Sequence, residues 1–346
     1  MKAAVEKLYF LFFVLLHSAT TQSEASSQPS PSPTCPPTSP NVTFSGNEGD
    51  PHIRTFDGVR FDCQASGEFI TVTSLETPEL MVQERFTSIE SSFHASVSTG
   101  VAIGDKNVPT VEFSTPRGSS SGVLNTVAGC PIDFYVNGTA VDLADADLSS
   151  EIEVSQNGAT TRINHVATNF AVDVTIQNSV SFGCHFIVQV MIPPVYRSEK
   201  TILGLMGTPN GDRTDDWMAP DGKVFPIPAT QAGRMFEDAY NYCVDNWIVD
   251  DASKSLFTYA RSDESFESFY GGDEPYDSDI EEAIADPSTE LIEICGTDLM
   301  CILDGTVGDL DDARAENRAR RFVRRPPGKF HTKGYFLCSF YFMPKT

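Results

Sequence analysis

From Val42 to Trp217, apolar and polar residues alternate in short runs, and a period of two places successive side chains on opposite faces of a strand. The runs include Glu68–Ser74, Leu80–Phe86, Phe170–Ile176 and Phe186–Ile192. Asp57-Gly58, Asn137-Gly138 and Asn157-Gly158 lie between such runs. They carry turn chemistry, because Asn and Gly accept the positive φ that tight hairpins need. Ile132–Val136, Asn137-Gly138 and Thr139–Leu143 read together as one hairpin. Short strands at regular spacing predict a mainly β, antiparallel body of sandwich or barrel type.

The flanks are of another kind. Lys2 and Lys7 precede an apolar run from Leu8 to Leu16, and Ser18, Ala19, Thr20 and Thr21 follow. A basic start, a short apolar stretch and small residues at its exit describe a secretory signal peptide over residues 1–21. Residues 22–43 are rich in Ser, Pro and Thr, cannot bury a core, and read as a disordered linker. After the β body, Gln231–Trp247 has helical apolar spacing at Met235, Ala239, Tyr242 and Val244, and Ser255–Tyr259 is expected to pack back on the body. The body is therefore bounded at 44–260. Residues 261–290 form an acidic linker: the stretch 262–293 holds twelve acidic side chains and no basic one. Residues 291–346 are expected to hold short helices, around Ser288–Leu303 and Leu310–Arg321, and a basic tail. The tail, with Arg320-Arg321 and Arg324-Arg325, reads as a solvated end, an anionic-glycan binder or a dibasic processing site. No later stretch is apolar for long enough to span a membrane.

Secretion sets the chemistry of the cysteines. Cys35, Cys63, Cys130, Cys184, Cys243, Cys295, Cys301 and Cys338 would meet an oxidising compartment, so disulfides are expected. Cys35 sits in the linker, placed either to tether it or to pair between chains. No CxxC pair occurs and His is scarce, which disfavours zinc. Asn41 and Asn137 each open a glycosylation triplet. The formal net charge of −24 disfavours nucleic acid and favours cations. Gly118–Gly122 matches GxSxG, but it sits in a Ser/Gly loop rather than at a strand-to-helix elbow. No phosphate-cradling glycine loop occurs.

Two distant segments carry the chemistry. The first runs from Gly49 through Asp50, Pro51, His52, Thr55, Phe56, Asp57 and Gly58 to Phe61. The second runs from Leu203 through Met206, Asn210, Gly211, Asp212, Asp215 and Asp216 to Trp217. The second packs four Asn or Asp side chains into a tight loop. Either these are oxygen donors for calcium or they form a solvated turn. The spacing is not that of an EF-hand: counting from Asp212, position six is Trp217 and position twelve is Lys223.

The two segments resemble the opening G-D-P-H-x-x-T-F-D-G and closing G-L-C-G-N-x-N-G-x-x-x-D-D motifs of the von Willebrand factor type D domain. The resemblance covers roughly residues 44–220. It implies a β-sandwich-like domain with one calcium ion between the motifs, held by Asp57, Asn210, Asp212, Asp215 and Asp216. The family usually has Asn where Thr208 stands, a shorter oxygen donor that would weaken binding. It also usually bonds a Cys near position 68 to the Cys of the closing motif, where this chain has Glu68 and Met206. Cys63 and Cys184 flank the same regions, so a Cys63–Cys184 bridge is expected in its place. In some type D domains the bond corresponding to Asp50–Pro51 is a self-cleavage site; otherwise Asp50 and His52 shape the start of a strand.

The resemblance implies a secreted, non-enzymatic, calcium-binding structural or adhesion module of extracellular matrix, mucus or cell surface. Its partner would be an extracellular protein or glycan. Two other readings stand beside it. One is a lipid-transport-associated D domain, which would need a lipid-cavity module. The other is a secreted hydrolase, which would depend on Ser120.

Overall fold

Strands dominate, as the alternation predicts. In chain order they are β1 (Thr43–Glu48), β2 (His52–Arg54), β3 (Arg60–Asp62), β4 (Gly67–Ser74), β5 (Met81–Ser88), β6 (Ser96–Gly104), β7 (Val111–Ser114), β8 (Asn125–Val127), β9 (Cys130–Val136), β10 (Thr139–Ala140), β11 (Ile152–Asn157), β12 (Thr160–His165), β13 (Phe170–Ser179), β14 (Gly183–Ile192) and β15 (Ile202–Leu203). The computed structural model describes residues 43–48, 51–75, 80–89, 95–104, 110–116, 125–143, 152–166, 168–179, 182–197, 201–261, 264–270, 279–307 and 313–314. The signal segment, residues 22–42 of the linker with Cys35 and Asn41, Asp50, the Gly118–Gly122 motif, and Cys338 with the basic tail beyond residue 314 lie outside the described residues.

The strands form two antiparallel sheets. One has the order β11-β12-β13-β14-β1-β2-β3, the other β10-β9-β7-β6-β5-β4-β15 with β8 paired to β9. The first strand of the body is thus inserted beside a late one, with Thr43 opposite Ile192 and Asn47 opposite Val188. Along β13 the burial alternates from Phe170 to Ile176, as expected of a sheet with one face on the core. Val172, Val174 and Ile176 line up with Val190, Val188 and Phe186 of β14 and meet Val72, Val82, Val101, Phe113 and Phe134 of the other sheet. The expected hairpin is present, with Thr139 opposite Val136 across Asn137-Gly138. Asn137 is exposed in that turn with φ of 48°, and its Oδ1 accepts from the Thr110 nitrogen.

The second sheet is buried on both faces at its centre. Gln83, Glu84 and Arg85 of β5 are all buried, Gln83 and Arg85 on one face of the sheet and Glu84 on the other. A second core covers one end. It forms around α1 (Glu237–Trp247), whose Ala239, Tyr242, Cys243 and Trp247 recur at helical spacing and pack on Phe61, Phe69, Phe86 and Trp217. Beyond α1, residues 249–261 and 264–270 run back over the outer face. Val249 donates to the Glu68 carbonyl, Leu256 donates to Gln83 Oε1, and Thr258 donates to Glu112 Oε2.

The stretch read as an acidic linker contains α2 (Phe266–Phe269) and α3 (Asp279–Ala285), and α4 (Thr289–Cys295) and α5 (Leu299–Val307) follow. The helix expected over Ser288–Leu303 is therefore split. Gly296 terminates α4 with a positive φ of 66°, and a Cys295–Cys301 disulfide joins the two halves. Ile284, Met300, Ile302 and Leu303 form a small core with Met235. Acidic composition concealed α2 and α3, which at four and seven residues are too short for an apolar helical period to show. Among the described residues, no helix is long and apolar enough to cross a membrane.

The Cys63–Cys184 bridge does not form. Cys63 pairs with Cys243 of α1 and Cys184 with Cys130 of β9, with Cα–Cα distances of 6.1 and 5.7 Å. Cys63 belongs to the core around α1, whereas Cys130 and Cys184 belong to the interior of the sandwich. Flanking the same motifs in sequence did not make the two cysteines neighbours.

Candidate functional site

The closing loop is stitched to the opening turn by main chain before any side chain acts. Leu205 and Met206 donate to the carbonyls of Ile70 and Thr71 on β4, and Phe56 donates to the Met206 carbonyl. Gly204 makes this approach possible. Its φ is +134°, and a Cβ there would lie 2.3 Å from the Thr71 oxygen. The opening turn closes on itself through the Thr55 nitrogen to the Val59 carbonyl and the Gly58 nitrogen to the Thr55 carbonyl.

Asp57 and the Asn210–Asp216 loop meet across this seam. The Gly211 nitrogen donates to Asp57 Oδ2 at 2.7 Å, and Arg213 Nη2 donates to the Gly58 carbonyl at 3.0 Å. Thr55, two residues before Asp57, donates its hydroxyl to Asp216 Oδ2 at 2.6 Å. Asn210 Nδ2 lies 3.1 and 2.9 Å from the two oxygens of Asp215. Asp215 and Asp216 are buried, while Asp212 is exposed. Asp212 has a local role: its Oδ1 accepts from Thr214 N and Oγ1 and caps the 3-10 turn Arg213–Asp215.

Charge accumulates in a confined space here. Burial pushes the Asp216 carboxyl up to about 7, against the Thr55 hydroxyl, which favours the ionised form, and with the negative charges of Asp57 and Asp215 adding to the rise. Burial also raises Asp57, opposed by the backbone N–H groups of Gly211, Asn210 and Asp212. Two buried oxygens, Asp216 Oδ1 and Thr208 Oγ1, have no hydrogen-bond partner. A cation would answer both conditions, since it neutralises clustered carboxylates and takes bare oxygens as ligands.

The fit is not complete as the side chains stand. Among the described residues, no three Asp, Glu, His or Cys side chains converge as a metal cage. Asn210 turns its nitrogen to Asp215 and uses its oxygen for the Asp212 nitrogen. Turning that amide over would present an oxygen to the same space. The donor types present, carboxylate, amide, hydroxyl and main-chain carbonyl, are those of a calcium site rather than of a transition-metal site.

Gly207 sets the shape of the pocket. Its φ is +72°, and a Cβ there would meet Asp216 Oδ1 at 2.5 Å. Gly207→Ala is expected to cost about 1–3 kcal/mol in urea denaturation, through left-handed strain and displacement of Asp216. A loss under about 0.5 kcal/mol would show that the loop yields there.

Two residues with roles here escaped the sequence reading. Thr55 lies inside the opening motif, where its spacing to Asp57 was the available signal. Cys243, which ties α1 to Cys63, was expected in a disulfide, but nothing in the sequence named its partner. Glu68 and Met206 occupy unlike surroundings. Glu68 is ion-paired with Arg85, whereas Met206 lies in the sandwich core and accepts from Ser45 Oγ. Pro51 is buried, and its carbonyl accepts from the Cys63 nitrogen. The His52 ring lies between Asp62 and Asp304 of α5.

Residues 47–223 match the family model of the von Willebrand factor type D domain. Over 295 residues, 80% of this chain, the sequence is 26% identical to human Sushi domain-containing protein 2. The chain spans 32% of that relative's length.

Proposed function

The chain belongs to the von Willebrand factor type D family, and from that premise we propose that it is a secreted structural or adhesion module of extracellular matrix, mucus or a cell surface, with one calcium ion where the opening turn meets the closing loop. Three disulfides among the described residues suit an oxidising compartment. The exposed turn that carries Asn137 suits a glycosylated surface. The partner is an extracellular protein or glycan.

The observation behind the calcium reading is the meeting of Asp57 with the Asn210–Asp216 loop beside two buried, unpartnered oxygens. Asp57, Asp215 and Asp216 would hold the ion by carboxylate oxygens, with Asn210, Asp212 and Thr208 as further donors. Bound there, calcium supplies positive charge that ties the start of the β body to its end.

Native mass spectrometry is expected to find one calcium per chain. An ion present at about a hundred times its dissociation constant adds about 2.7 kcal/mol. For a domain of this size that is roughly 5–10 °C in Tm. Chelator is therefore expected to lower Tm by that amount in the native protein and to leave the Asp215→Ala variant unmoved. A metal-free protein whose Tm ignores both chelator and added calcium would reduce the loop to a solvated turn.

A further inference from the structure

An ionisable side chain lies between the two sheets, away from the candidate calcium site. Glu84 of β5 and Asn47 of β1 are both 0% exposed. Asn47 Nδ2 donates to Glu84 Oε2 at 2.9 Å, and Ser98 Oγ of β6 donates to the same oxygen at 3.2 Å. The other oxygen of each group, Glu84 Oε1 and Asn47 Oδ1, has no hydrogen-bond partner. A carboxylate and an amide carbonyl can only accept, so neither satisfies the other while Glu84 is ionised. One proton on Oε1 changes this. A carboxylic acid and a primary amide form a planar pair with two parallel hydrogen bonds, and half of that pair already exists.

We propose that Glu84 and Asn47 form a proton-operated clasp between the two sheets, closed by an Oε1–H···Oδ1 hydrogen bond at mildly acidic pH and opened when Glu84 ionises. The groups that face Glu84 are Asn47 from β1, Thr71 from β4 and Ser98 from β6, all neutral, and no charged side chain contributes to its shift. Burial pushes its carboxyl up to about 7, although Asn47, Ser98 and Thr71 each act to lower it.

The direction of the pH effect follows. A glutamate in the unfolded chain ionises near 4.5, before the folded one does. As pH rises from about 4.5 to about 7, the unfolded state loses its proton first and folding stability falls. Above that range the cost of a buried, unpaired charge is complete. The clasp therefore contributes most in acidic compartments and least at neutral or alkaline pH.

Glu84→Gln separates this device from ordinary core packing. A glutamine amide can accept from Asn47 Nδ2 and donate to Asn47 Oδ1, so it mimics the closed clasp at every pH. In calcium-containing buffer at pH 8, the variant is expected to melt several degrees above the native protein, and the difference is expected to shrink as pH falls and to vanish below about pH 4.5. Other titrating groups cancel in that difference. A variant that melts at or below the native protein at pH 8, or by a margin independent of pH, overturns the clasp. If the variant does not fold, the native protein with carboxyl-labelled glutamate decides by NMR. One glutamate titrating near neutral pH supports the clasp, and titration of every glutamate below pH 5 overturns it.

Discussion

Replacing Arg85 by alanine is expected to destabilise the domain by about 3–5 kcal/mol, the range for removing one partner of a buried ion pair. Arg85 Nε and Nη2 donate to Glu68 Oε1 at 3.1 and 2.9 Å, and both side chains are almost wholly buried. Its guanidinium carbon lies 4.0 Å from the centre of the Phe257 ring and 3.8 Å from that of Phe269. Gly100, opposite Arg85 on β6, leaves room for Phe257: a Cβ there would lie 2.8 Å from the ring. One cation thus neutralises Glu68 and anchors the returning segment through its aromatic side chains.

Without Arg85, Glu68 keeps the hydroxyls of Ser255 and Tyr259 but loses its counter-charge. Glu112, whose carboxyl burial raises and Arg85 lowers, would rise further. Arg85→Lys keeps the charge but loses the planar fork and ring stacking, so it is expected to recover only part of the loss. Urea denaturation measures both variants. Limited proteolysis should cut between residues 250 and 270 faster in Arg85→Ala. A loss below about 1 kcal/mol with unchanged proteolysis would mean that other contacts anchor the segment.

The second large effect is expected at the Cys63–Cys243 bridge, whose partners are 180 residues apart in sequence. Cross-linking removes more freedom from the unfolded chain as the closed loop lengthens. The double replacement Cys63→Ala/Cys243→Ala is expected to cost about 4–5 kcal/mol. The Cys295–Cys301 bridge, with a separation of 6, serves as the internal control. Its removal is expected to cost on the order of 2 kcal/mol on the same account. Guanidinium denaturation of the two double variants compares them directly. Equal losses would show that packing around Cys63 and Cys243, rather than loop closure, sets the stability of this end.

The alternation in Phe170–Ile176 and Phe186–Ile192 identified β13 and β14 and the faces they bury, because a strand's side chains are dictated by near neighbours in sequence. Asn137-Gly138 identified a hairpin for the same local reason. The opening and closing motifs identified the family, and they also named Asp57, Asn210, Asp215 and Asp216, residues the fold brings to one seam.

Reading went astray where a residue's environment is made by chain far away. Cys63 and Cys184 looked like neighbours through their motifs, but α1 brought Cys243 to Cys63, and β9 brought Cys130 to Cys184. Glu68, Gln83 and Arg85 lie in alternating runs, and the returning residues 249–261 and 264–270 bury the face they share. Glu84 read as one more polar residue of an alternating strand until Asn47 met it from the other sheet. Periodicity and turn chemistry act over a few residues, so the sequence alone determined the strands, the turns and the family. Disulfide partners, the buried ion pair and the protonation of Glu84 depend on contacts between distant segments and on the water those contacts exclude, so they were decided only when the sheets closed.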